Sequence, residues 1–278
     1  MSALLACLAC TAVGAVAEPP PRGYEALRAA RRIASVGPRP AASDAERRAH
    51  AYVGRVFEKA GLEVTVQRFD VPGKGRSRNV IGLLDGPRKC LKIVMAHTDT
   101  TAPGPGANDN ASGVGVVVAL ARRLRTVDPP CDVWLVATGA EERIYTGRPD
   151  HLGALSLARR ARARGAERRL RYALSLDEVG GDRPFWLRSP APAPRRGVEG
   201  SLLRAAARAG VNVSWVRDGS DSNSDHREFE LLGLPAAKLG VGAGGEPCRH
   251  RSCDTPDRLD RHSLALAQRM TEQALSAR

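Results

Sequence analysis

Three runs decide the fold: LKIVMAHTD (91–99), DVWLVATGAEE (132–142) and YALSLDE (172–178). Each begins as a continuous apolar segment of strand length and ends on polar side chains that can hold a metal. A strand apolar on both faces belongs inside a sheet covered by helices on each side, the arrangement of parallel α/β proteins. Helical periodicity between and around these runs agrees, predicting helices over 24–35, 43–60, 110–125, 150–164, 198–209 and 259–275. The second of these opens at Ser43-Asp44 with Glu46 in capping-box position. Residues 62–69 and 78–84 read as strands before the first decisive run, and 235–239 as a short one after the third. Pro/Gly-rich stretches at 100–107, 189–197 and 242–247 read as surface loops. No linker is long enough to split residues 18–278. The expectation is therefore one α/β domain with a central mixed, mostly parallel sheet flanked by helices.

The chain has 278 residues, 42% hydrophobic and 26% charged, which excludes a disordered polar chain and allows a substantial core. Its net charge of +13 raises the question of an anionic partner. Of 43 basic residues only five are lysines (59, 74, 89, 92 and 238), an arginine excess that looks like coding bias. The densest run, Arg159 to Arg171, falls on a predicted helix and its exit and carries no interleaved aromatics. It reads as a solvated face rather than a nucleic-acid surface.

Residues 1–17, MSALLACLACTAVGAVA, form an uncharged apolar run ending in Ala15-Val16-Ala17. The run is too short to span a membrane comfortably and ends like a signal-peptide cleavage site, so secretion is expected. A lipoprotein box at Leu4-Leu5-Ala6-Cys7 is the alternative. Cleavage would leave four cysteines, an even number that suggests disulfides in an oxidising compartment. Cys90 and Cys131 each directly precede an apolar run, so neighbouring parallel strands would bring them to one sheet edge. Cys248 and Cys253 would then close a short loop of their own. Four free thiols are the alternative, and a zinc site lacks CxxC spacing.

Sites in parallel sheets form where strands end and loops begin. His97 and Asp99, two apart at a strand end, project to the same side. Asp99 is placed to hold the second nitrogen of a ligating His97. Asp109, within GANDNASG (106–113), precedes a helix and reads equally as a cap. Glu141 and Glu142 are adjacent carboxylates that point different ways from an extended loop. Each has an ordinary reading, as a cap or as solvated charge. Their joint position at strand ends favours a metal.

AHTD (96–99), GANDNASG (106–113), GAEE (139–142), SLDEVG (175–180), SDHREFELLGLPA (224–236) and CRHRSCDT (248–255) occur in that order. Together they resemble the co-catalytic zinc aminopeptidases of clan MH, family M28, and CRHRSC resembles secreted bacterial members in particular. The resemblance implies two Zn2+ ions. His97 and Asp177 would bind one, Glu142 and His250 the other, and Asp109 would bridge them. Glu141 would be the general base and Asp99 the orienter of His97. Zinc ions roughly 3.5–4 Å apart can share a water and lower its pKa toward about 7. The substrates would be peptides with a free N-terminus, cleaved by a monomer with no nucleic-acid partner and no stable membrane span.

The chain departs from that pattern at several positions. Arg249 stands where secreted relatives commonly place Tyr, and it is expected to contact an oxyanion or a substrate carboxylate. Ile144 and Arg148 replace a common Gly and Ser, with Gly147 retained. His226, in the SDH motif, is expected to line the pocket. His50 and His262 are expected to be exposed, and His151 to be a helix cap or surface group. The rivals are a carboxypeptidase or glutaminyl cyclase of the same fold, and a non-catalytic binding module.

Overall fold

The computed structural model describes residues 21–182, 184–219, 224–241 and 245–277. The expected signal segment 1–17 lies outside them. In chain order the elements are α1 (Tyr24–Ala34), α2 (Asp44–Lys59), β1 (Glu63–Val71), β2 (Gly75–Leu84) and β3 (Arg88–His97). An irregular helical turn, Ala107–Ser112, leads into α3 (Gly113–Val127), followed by β4 (Cys131–Thr138), α4 (Arg143–Thr146), α5 (Leu152–Ala163), α6 (Ala166–Arg169) and β5 (Leu170–Asp177). Then come β6 (Phe185–Ser189), α7 (Glu199–Arg208), β7 (Val213–Arg217), α8 (His226–Leu231), β8 (Ala236–Val241) and α9 (Arg261–Ser276).

The eight strands make one mixed sheet in the order β1-β2-β4-β3-β5-β8-β6-β7. Its centre, β4-β3-β5-β8, is parallel, and the antiparallel pairs lie outside it. The three decisive runs are therefore neighbours, and their apolar side chains are covered on both faces. One face packs Val94, Leu135 and Leu174 against α1, α2, α3, α7 and α9. The other packs Ile93, Met95 and Val136 against α5 and Phe229 of α8. The short strands β6 and β7 and the helices α4, α6 and α8 escape sequence reading. Four to six residues carry too few turns or alternations for a period to show.

Ser43 caps α2 as expected, its Oγ accepting the Glu46 N–H. Glu46 does not complete the box on Ser43. Its carboxylate accepts from Ala42 N, Ser77 Oγ and Ala140 N, buried beneath the β4 exit. The stretch 100–107 is also no simple surface loop: much of it is buried, because the Arg39 guanidinium donates to the carbonyls of Thr98, Pro105 and Gly106. The 189–197 loop is largely exposed as expected, whereas part of 242–247 lies outside the described residues. Most of the arginines in the 159–171 run are solvent-exposed.

Two disulfides form, Cys90–Cys131 and Cys248–Cys253. The first joins β3 to β4 at the sheet edge opposite the strand-end acids, where the pairing register shifts after Arg88. Among the described residues no helix is long and apolar enough to cross a membrane.

Candidate metal centre

β3, β4 and β5 end side by side, and His97 lies opposite Thr138 in the parallel register. His97 Nε2 is 3.2 Å from Asp109 Oδ1 and 3.6 Å from Asp177 Oδ1. His250 Nε2 is 3.2 Å from Asp109 Oδ2 and 3.1 Å from Glu142 Oε2. Asp109 thus stands between two imidazoles and offers one oxygen to each. These residues and Glu141 line a cavity of about 90 Å³, whose wall Glu178, Lys238 and Arg249 complete.

The donor atoms of His97, Asp109 and Glu142 lie within 4.8 Å of one another, as do those of His97, Glu141 and Asp177. Asp177 Oδ1 and Glu142 Oε1 are buried without a hydrogen-bond partner. A buried carboxylate oxygen left without a donor is costly, and a bound cation relieves it. Imidazole and carboxylate together form the donor set of zinc. The residues present therefore fit the metal.

The surrounding bonds aim these donors. His97 Nδ1 lies 3.1 Å from the Asp99 main-chain oxygen, which can only accept, so Nδ1 carries a proton and Nε2 is the nitrogen turned to Asp109 and Asp177. The orienting group is thus the Asp99 carbonyl, since its carboxylate sits 3.8 Å away. That carboxylate accepts the N–H groups of Glu141 and Glu142 instead, setting the turn that carries both acids. Ser224 Oγ and Lys238 Nζ hold Asp177 Oδ2, at 3.0 and 2.6 Å, which leaves Oδ1 to face His97. Asp254 accepts from the N–H groups of Asn108 and Asp109 and so fixes the irregular turn. The Cys248–Cys253 bond closes the loop that presents His250.

The electrostatics are those of acids packed around a few cations. Burial disfavours the His97 cation, but Glu141, Asp109 and Asp177 hold its pKa well above the usual imidazole value. The hydrogen bonds His250 donates to Asp109 and Glu142 raise its pKa to about 10. Burial, reinforced by Asp109, pushes Glu142 up to about 7. Burial likewise drives Glu141 well above the ordinary carboxyl value. Asp177 is buried too, yet Lys238 and His97 hold it well below that value.

The expected metal ligands His97, Asp109, Glu142, Asp177 and His250 are brought together here, as are Glu141 and Asp99. Arg249 reaches the cavity wall, where its guanidinium forms a two-point ion pair with buried Glu178. Its charge is therefore already met by the protein. His226 is buried against Asp218, 2.7 Å away, and is not part of the cavity wall. His262 is exposed as expected, but His50 is buried, 3.3 Å from the Thr138 carbonyl. Helix α2 faces that residue toward the sheet. His151 occupies the N-cap position of α5 but makes no side-chain cap bond and is fully buried. Sequence reading assigned no role to Arg39, Lys238 and Asp254, and placed Glu178 only among the polar side chains at the end of its strand. Lys238 left a signal of its own, a lysine in the apolar run PAAKLGV.

The family model for peptidase family M28 matches residues 79–275. Aminopeptidase YwaD of Bacillus subtilis is 37% identical over 209 residues, which cover 69% of this chain and 42% of that protein. The chain spans about half the length of the curated relatives it matches. In fold it is similar to a zinc aminopeptidase from Bacillus subtilis, with a TM-score of 0.82 at 18% identity, over 92% of this chain and 95% of that one. A glutaminyl cyclase from Bacteroides thetaiotaomicron has a TM-score of 0.79 at 22% identity, over 94% and 99%.

Proposed function

The chain belongs to peptidase family M28, and on that premise we propose that it is an exported aminopeptidase that works with two zinc ions. The observation that carries this reading is Asp109, with one oxygen on each of two imidazoles. A shared carboxylate of this kind serves two adjacent cations. His97 and Asp177 would hold one ion, His250 and Glu142 the other. The unpartnered oxygens of Asp177 and Glu142 support that division. Zinc, when bound, supplies Lewis acidity toward a water and the scissile carbonyl.

The chain's own groups do the rest. Glu141 borders the cavity without serving in either ligand set. Its raised pKa suits a group that takes the proton of the attacking water and returns it to the leaving amine. Asp99 holds the main chain of Glu141 and so fixes where that carboxylate starts. The acidic wall attracts the cationic α-amine of a peptide. The pairing of Arg249 with Glu178 leaves the wall no free cation from that side chain for a substrate carboxylate. Export is supported by the segment 1–17 and by the two disulfides, which suit an oxidising compartment.

The test combines metal counting with free and N-blocked peptides. Two zinc ions per chain and cleavage of free peptides only are expected. Glu141→Gln should keep both ions and lose about 10²–10⁴-fold in kcat. Cleavage of blocked peptides would refute the aminopeptidase reading. One ion per chain with ring closure of N-terminal glutamine would establish the cyclase alternative.

A further inference from the structure

A second cluster of buried acids and histidine, Asp150, His151 and Glu228, adjoins the metal centre. It has the composition of a metal site, but its carboxylates already have cations. Arg143 pairs with Asp150 at 2.6 Å, and Arg227 pairs with Asp150 and Glu228 at 3.2 and 3.4 Å. His151 is the member left with an unspent group. Its Nδ1 bonds Glu228 Oε1 at 3.2 Å, and its buried Nε2 has no hydrogen-bond partner. That nitrogen faces Glu141 Oε1 at 3.6 Å.

The main chain holds the ring in this place. His151 adopts the left-handed conformation, φ 47 and ψ 47, uncommon for a residue with a Cβ. The next residue, Leu152, donates its N–H to the Ala140 carbonyl, one residue before Glu141. Gly153 lets the start of α5 come this close, because a Cβ there would collide with the Gly139 carbonyl. The helix is thus fastened to the turn that carries Glu141, and Glu228 on α8 sets the ring's rotation.

We propose that His151 is a positioning residue for Glu141, holding one carboxylate oxygen through Nε2 in a Glu228–His151–Glu141 relay. Nε2 faces that oxygen from a ring whose place the main chain and Glu228 fix. The 3.6 Å gap lies just beyond hydrogen-bond length, and such contacts tighten when substrate binds. The inference rests on the peptidase reading for the role of Glu141, but the contact itself does not.

The test uses zinc-loaded full chain and two substitutions. His151→Asn keeps a donor toward Glu228, loses the Nε2 side, and suits left-handed backbone. His151→Gln restores a donor near the Nε2 position. His151→Asn should lower kcat about 30-fold, with KM and zinc content unchanged, because a misplaced base costs rate and not binding. His151→Gln should regain part of that loss. Independently of turnover, the His151 imidazole proton resonance should move in Glu141→Gln. A kcat for His151→Asn within about threefold of wild type, or a parallel loss of zinc, overturns the proposal. So does a resonance that Glu141→Gln leaves in place. If the resonance moves but the wild-type chain cleaves no peptide, the contact stands and the peptidase reading fails.

Discussion

Arg39→Met removes a fully buried guanidinium from beneath the metal centre and replaces it with an apolar chain of similar length. Arg39 donates to four main-chain carbonyls: Gly37 at 3.0 Å, Thr98 at 2.8 Å, Pro105 at 2.5 Å and Gly106 at 3.1 Å. Burial lowers its pKa to about 10, with Asp99, Asp254 and Asp109 opposing, so it stays charged at neutral pH. After substitution Gly106 O keeps the Ala111 N–H, and the half-buried Gly37 can turn to water. Thr98 O and Pro105 O take the loss, at about 1–3 kcal/mol for each orphaned acceptor. A total near 4 kcal/mol corresponds to a Tm lower by roughly 10 °C for a chain of this size. Because Thr98 lies between His97 and Asp99, and Gly106 opens the Asp109 turn, zinc affinity should fall about tenfold as well. Differential scanning calorimetry of metal-free and zinc-loaded protein, with zinc titration, reads both effects. A metal-free Tm within about 2 °C of wild type would refute the account.

The site should also make the metal-free protein sensitive to base. Glu46, Glu142 and His250 are raised to about 8, 7 and 10, from ordinary values of 4.5, 4.5 and 6.5. Each binds its proton more tightly when folded, so the stability it contributes is lost as pH rises through its folded value. Metal-free Tm should therefore decline from about pH 5 to about pH 10, and zinc, which takes the place of protons, should flatten the decline. A metal-free Tm that climbs over this range would contradict the assignment. The two disulfides should separate stability from metal binding. With its cysteines 41 positions apart, Cys90–Cys131 should contribute about 4 kcal/mol, and its double alanine variant should still hold zinc. Cys248–Cys253, five apart, should contribute only about 2 kcal/mol, yet its loss should weaken zinc through His250. The reverse order of zinc effects would count against the placement of His250.

The parallel sheet and its metal-capable edge were legible in the chain because both are local properties. An apolar run of strand length marks a buried strand, and the residues that follow it mark the strand's end, as at His97, Glu141 and Asp177. The disulfides were legible for the same reason, since each cysteine abuts a recognisable element. The assignment of Glu46 and the exposure of His50 and His151 failed because burial depends on what arrives from elsewhere. Glu46 is fastened to Ala140, 94 residues away, and His151 to Glu228, 77 residues away. No periodicity encodes such distances. Which acids and histidines stand at strand ends follows from their neighbours along the chain. Which of their oxygens and nitrogens stay unsatisfied follows instead from the packing of segments far apart in sequence. Ser224 and Lys238 take Oδ2 of Asp177 and the Asp99 carbonyl takes Nδ1 of His97, and a polar group kept from water must take whatever partner the packing brings to it.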